Sequence, residues 1–230
     1  MSRRLTAADR SALIRLASSF TTGSPERRAI LAGLKSAASA GKANVPGKHI
    51  LDNARVSDDA LVSENAEVSG NARVSDNAVV TGAARVSENA SVFDDAVVSG
   101  ATDVHDGARV YGASKVYEFA RVHGDAEVHG NAQVYGNAQV SGSARVFLRG
   151  RVYGNAEVYG DARVSGQARV FGKALVSGKA QVYGEAEVSG YAHVTGNAVI
   201  GGDAQILGGK WNGSEGEILS GRWKAPGVPA

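Results

Sequence analysis

Two histidines eighteen residues apart, His105 and His123, are the first residues of this chain whose type and spacing suggest chemistry. An imidazole can act as a general base when a carboxylate or carbonyl orients it and water is held away. Asp103 and Glu157 are carboxylates expected on the same face, while His129 falls on the next face and His193 is a further outward position of the repeat described below. Three imidazoles converging on one point would suit zinc. Here, however, Arg121 stands beside His123 and His129 belongs to the neighbouring face. With no cysteine in 230 residues, thiol catalysis and disulfides are excluded. A second group of residues carries recognition chemistry. Tyr, Phe and His recur in the series Phe93, Tyr111, His129, Phe147 and again in Tyr117, Tyr135, Tyr153, Phe171, with Lys115, Gln133, Arg151 and Arg169 beside the second series. Flat rings next to cations suit a subunit or protein interface, or an acidic polymer, polysaccharide or nucleic acid.

The element that positions all of them is a six-residue repeat. Valine recurs from Val56 through Val62 and Val68 to Val194 and continues as Ile200 and Ile206, an unbroken run of 26 hexads. Two residues before each stands a small residue, alanine except at Thr102, Ser114 and Gly150. In extended chain, A-x-V puts Ala and Val on one side and the intervening residue on the other. Ser-Gly-Asn or Tyr-Gly-Asp then turns the corner. Each hexad is therefore one short strand and one corner, and three hexads make a triangular coil of 18 residues. Residues 18 apart stack about 4.8 Å from each other, which makes columns of the series above. Twenty-six hexads give between eight and nine coils, a rod of roughly 40 Å.

The hexad, read for example as Val68-Ser-Gly-Asn-Ala72, resembles the left-handed parallel β-helix of the hexapeptide-repeat superfamily, and in particular its YdcK-like members. The resemblance covers about two thirds of the chain. It implies the fold, whereas the superfamily's functions range from acyltransferases and γ-class carbonic anhydrases to non-catalytic proteins. For an acyltransferase it implies a homotrimer, acetyl-CoA or another acyl carrier bound between subunits, and His105 or His123 as base near a loop that leaves the helix. No such loop interrupts the hexads, so the expected function is a non-enzymatic interaction rod that needs no cofactor, with acyl transfer as the alternative.

The ends differ from the repeat. Residues 1–50 hold nine Lys/Arg against Asp9 and Glu26, a surplus of seven, which leaves the rest of the chain at −5 to reach the overall +2. Capping residues Thr6 and Ser24 and the stripes Leu13, Ile14, Leu16 and Ile30, Leu31, Leu34 predict an αα-hairpin over 1–41, then a linker over 42–52. An outward column of Leu61, Val79 and Val97, flanked by the corner acids Asp58, Asp76 and Asp94, reads as exposed apolar surface that this basic hairpin would cover. Calcium at those corners is the other reading, without a calcium-loop motif to support it. Beyond the repeat at 53–206, residues 207–230 read as a glycine-turned hairpin or tail in which Trp211 and Trp223 cap the open end. No signal peptide or 18-residue apolar run is present, so the expected location is cytoplasmic or within a virion, without a membrane span. The expected partner is another protein or the chain itself.

Overall fold

In the computed structural model, residues 49–57, 59–63 and 65–225 and the backbone of 228–229 are described. They form a mainly β parallel solenoid of about nine turns. The predicted αα-hairpin lies outside these residues. Each hexad contributes a strand of two residues, from Arg55–Val56 to Gln205–Ile206, with no residue inserted between them. Successive strands go to three different sheets of ten, eleven and nine strands. The first face runs through Val56, Val74 and Val92, the second through Val62, Val80 and Val98, and the third through Val68, Val86 and Val104. Every pairing between hexads is parallel and in register at a step of 18, as in Arg109↔Glu127 and Val110↔Val128.

The interior is aliphatic and closely filled. All core residues from Val68 to Ile206 are buried, together with the alanines two positions before them. Each buried valine removes enough apolar surface to contribute about 1.5–2 kcal/mol before ordering entropy is counted. The three slots without alanine behave differently. Ser114 donates to the Val128 carbonyl at 3.1 Å, whereas the Thr102 hydroxyl is buried with no partner. At Gly150 a Cβ would come within 2.8 Å of the Val164 carbonyl, so this slot has no room for alanine.

Corners repeat one conformation. From Val68 to Ile200 the second residue after the core position has positive φ: glycine at positions such as Gly70, Gly136 and Gly154, but acid at Asp76, Glu88, Asp94, Asp106 and Glu118. Glycine adopts this left-handed region freely and Asp with modest cost. The acids also do something glycine cannot. Asp52 accepts from the Gly70 amide (3.1 Å), Asp76 from Asp94 (3.4 Å), Asp94 from Gly112 (3.0 Å) and Asp106 from Gly124 (2.9 Å), each one coil on. Beside the corners, Asn53, Asn71 and Asn89 join in a side-chain ladder at 3.3–3.4 Å.

Both ends extend past the sequence boundaries. Ile50, six residues before Val56, already pairs with Val68, so the ladder begins inside the expected linker. The hairpin expected within 207–230 is corrected as well: residues 207–225 wind one more parallel coil. Lys210–Trp211, Glu217–Ile218 and Arg222–Ala225 each add to a different face. Trp211, Ile218 and Trp223 occupy core positions at spacings of five, seven and five residues, irregular enough to hide the period. An antiparallel pairing appears only afterwards, between Arg222–Ala225 and Val228–Pro229. Trp211 is 1% exposed and meets Trp223 edge-on at 6.3 Å, so the C-terminal cap is aromatic.

Candidate functional site

The register places both predicted aromatic series as stacks. On the first face Phe93, Tyr111, His129 and Phe147 lie at centroid separations of 4.8, 4.8 and 5.3 Å, with planes within 8° of parallel. On the second face Tyr117, Tyr135, Tyr153 and Phe171 stack at 4.8, 4.9 and 5.0 Å. The coil rise sets this spacing. Within the stacks, burial dominates electrostatics. Tyr117 is pushed up to about 12, first by burial and then by the negative charge of Tyr135 and Glu118; burial also raises Tyr111 and Tyr153. His129, between Tyr111 and Phe147, is pushed below the ordinary histidine range by burial, so it stacks as a neutral ring.

Cations flank both stacks. Lys115, Gln133, Arg151 and Arg169 form one outward ladder on the second face, as the period requires, and Arg169 ends it in an ion pair with Glu187 at 3.0 Å. The first face holds a contact that the sequence reading missed. Arg109 lies 5.7 Å from the Phe93 centroid and 5.3 Å from that of Tyr111, within cation–π range, while it pairs with Glu127 at 3.3 Å. Ring and cation fall on one face because 109 precedes and 111 follows the same core valine, a signal available in the hexad itself. Farther along, Arg145, Arg163 and Lys179 line a shallow groove of about 330 Å³ together with Asp161.

One corner in this region breaks the pattern. Leu148 has φ 58° where every other described corner is Gly, Asp or Glu, and it is 56% exposed beside Phe147. Its apolar side chain sits in water in a conformation that costs a non-glycine residue about 1–2 kcal/mol.

The outward column on the second face is not open surface. Val79 and Val97 are 1% and 3% exposed and Leu61 is half-buried, whereas Val199, at the same hexad position on the first face, is only half-buried. Each valine packs between ladder neighbours, Leu61↔Val79↔Val97. All described strands belong to the three ladders themselves. Of the corner acids, Asp58 lies outside the described residues, and Asp76 and Asp94 accept from the next coil's amides, so their carboxylates brace the backbone.

On the third face His105 and His123 stack at 4.9 Å and 3°. The carboxylate that meets them is neither Asp103 nor Glu157. Asp103 pairs in the ladder with Arg85 and Arg121, and Glu157 sits between Gln139 and Leu175. It is the corner residue Asp106 whose Oδ2 lies 3.5 Å from His105 Nδ1 and 3.8 Å from His123 Nδ1. Glu88, one coil earlier, completes a group in which Glu88, His105 and Asp106 each offer a ligand atom within 4.8 Å of the others. Asp106 is held below the usual carboxylate range, first by the Gly124 amide and then by a hydrogen bond with Glu88. The sequence reading weighed the corner acids Asp58, Asp76 and Asp94 but passed over Glu88 and Asp106, which the step of 18 stacks here.

A family model described as the YdcK beta solenoid repeat matches residues 66–82, 72–88 and 132–147. The solenoid therefore carries YdcK-like β-solenoid repeats. The matched windows include the Glu88 corner at one end and the Phe147 stack position at the other. No curated protein and no solved structure matches the chain. Among the described residues no helix is long and apolar enough to cross a membrane.

Proposed function

We propose that this solenoid is a non-enzymatic interaction rod that presents its stacked aromatic and cationic columns to a protein partner within a larger assembly, such as a virion or envelope particle. The observation that carries the reading is Leu148. A corner that glycine would serve at lower cost is held by an exposed leucine next to Phe147, and backbone strain combined with exposed apolar surface is what an interface would retain. Arg145 and Arg149 on either side, and the Arg151, Tyr153, Arg169 and Phe171 surface around the next edge, supply the residue types that interfaces favour. The basic segment 1–41 is the proposed cover of Leu61, Val79 and Val97: it carries the complementary charge, and its chain enters the ladder at Ile50, at the same end of the rod.

The test is affinity isolation with the full chain from its native source. A stoichiometric partner is expected to be retained by the unaltered protein and lost by Leu148→Gly, whose own melting temperature does not fall. Retention of the partner by Leu148→Gly overturns this surface as the interface. The second reading, acyl transfer from acetyl-CoA with His105 or His123 as base, draws on Asp106 beside both imidazoles. It is favoured if acetyl-CoA raises the melting temperature and turnover disappears in His123→Ala.

A further inference from the structure

We infer that Glu88, His105 and Asp106 form a site for a divalent transition metal of the zinc class, with His123 as a further ligand from the next coil. The geometry carries this. A tetrahedral ion at about 2.0–2.1 Å from N and O ligands sets those ligand atoms roughly 3.3–3.4 Å apart. His105 Nδ1 and Asp106 Oδ2 are already 3.5 Å apart. Glu88, which must close the third edge, is exposed and on a long side chain, and its carboxylate already lies within 4.8 Å of the other two ligand atoms. Asp106 cannot swing away, because Gly124 N–H holds Oδ2 at 2.9 Å and the corner fixes its backbone at φ 59°.

The ligand set also converges in space. Glu88 and Asp106 are corner carboxylates one coil apart, each with a ligand atom within 4.8 Å of the other and of His105. The two imidazoles place their Nδ1 atoms toward that same carboxylate oxygen, at 3.5 and 3.8 Å. Imidazole nitrogen with carboxylate oxygen suits zinc, cobalt or manganese, whereas an all-oxygen set would suit calcium or magnesium. The parallel rings are 4.9 Å apart, too far for both Nδ1 atoms to reach one ion without a tilt of His123. In the resting geometry the ion therefore has three protein ligands and an open position. It would tie the coils of Val86, Val104 and, through His123, Val122.

This site is independent of the proposed interface, which lies on the other two faces, and the experiment separates them. The untagged full chain is titrated with zinc by calorimetry, and with cobalt, followed by its visible ligand-field absorption. One equivalent bound at micromolar affinity, with a rise in melting temperature, is expected. Glu88→Gln, His105→Ala and Asp106→Asn should each weaken binding at least tenfold; Asp106→Asn keeps an oxygen for the Gly124 amide, so its corner still folds. His49→Ala and His193→Ala should leave affinity unchanged. Absence of saturable binding at millimolar zinc overturns the site, and so does binding that survives Glu88→Gln and His105→Ala undiminished.

Discussion

The coils before Val116 and the coils after it share one core and differ at the corners and at the position after the core valine. In the earlier region the corners are largely Asp or Glu, and the residue after the core valine is mostly serine. In the later region the corners are nearly all glycine, and Tyr, Phe or His often follows the valine. The two regions stack backbone on backbone with the same 18-residue register, so the core alone sets the fold. What varies is how each corner amide is treated and what the surface offers. An aspartate corner gives the next coil's amide a carboxylate; a glycine corner lets the next coil approach until a Cβ would have no space. At Gly136 an added Cβ would lie 2.8 Å from the Gly154 nitrogen and 2.9 Å from its oxygen.

The sharpest test of that contrast is to exchange the two solutions. Gly136→Ala combines the left-handed penalty with a backbone contact and is expected to destabilise by about 2–4 kcal/mol. Gly136→Asp faces the same contact but imports the acceptor that the early corners use, so it should cost roughly half as much. Chemical denaturation of both variants measures the difference. If Asp proves as costly as Ala, the carboxylate brace is not what makes acid corners tolerable.

A smaller effect of opposite sign is expected at the one apolar corner. Leu148→Gly removes the left-handed penalty and exposed leucine surface while adding backbone freedom to the unfolded chain, and should stabilise by about 1 kcal/mol. A destabilised Leu148→Gly would mean that the leucine packs within the rod, which would remove the argument that it serves a partner.

Much of this was legible in the residues. The hexad fixed three faces, the register and both aromatic columns, because side-chain alternation and an 18-residue step leave no freedom once 26 repeats run without insertion. Ile50 was missed since Lys48-His49-Ile50-Leu51 lacks the small residue two positions before the aliphatic one. The last coil was missed because Trp211 and Trp223 arrive after five residues where six were expected, and tryptophan in a valine slot does not look like the repeat. The histidine partner was missed for a different reason. Which carboxylate meets His105 depends on a corner residue's left-handed backbone, which aims Asp106 along the stack, and periodicity alone gives a column without giving that direction.

The same two regions should also respond to opposite ends of the pH scale. Asp106 titrates below its ordinary value in the fold, so its contribution is present above about pH 3.8 and is lost as pH falls through the lower folded value. The tyrosine column works the other way. Tyr117 is raised from 10.0 to about 12 chiefly by burial, so the unfolded chain ionises first. Its contribution is complete below pH 10 and disappears as pH rises toward 12, with Tyr153 of the same column shifted in the same direction. Ultraviolet titration of the phenolates in the folded protein should therefore show a late-ionising group that is absent from Tyr117→Phe. In denaturation series, that variant should lose less stability between pH 10 and 12 than the unaltered chain. Equal losses would mean that the ring stack leaves Tyr117 as accessible to water as a free side chain, and the later coils would then owe nothing to the burial of their rings.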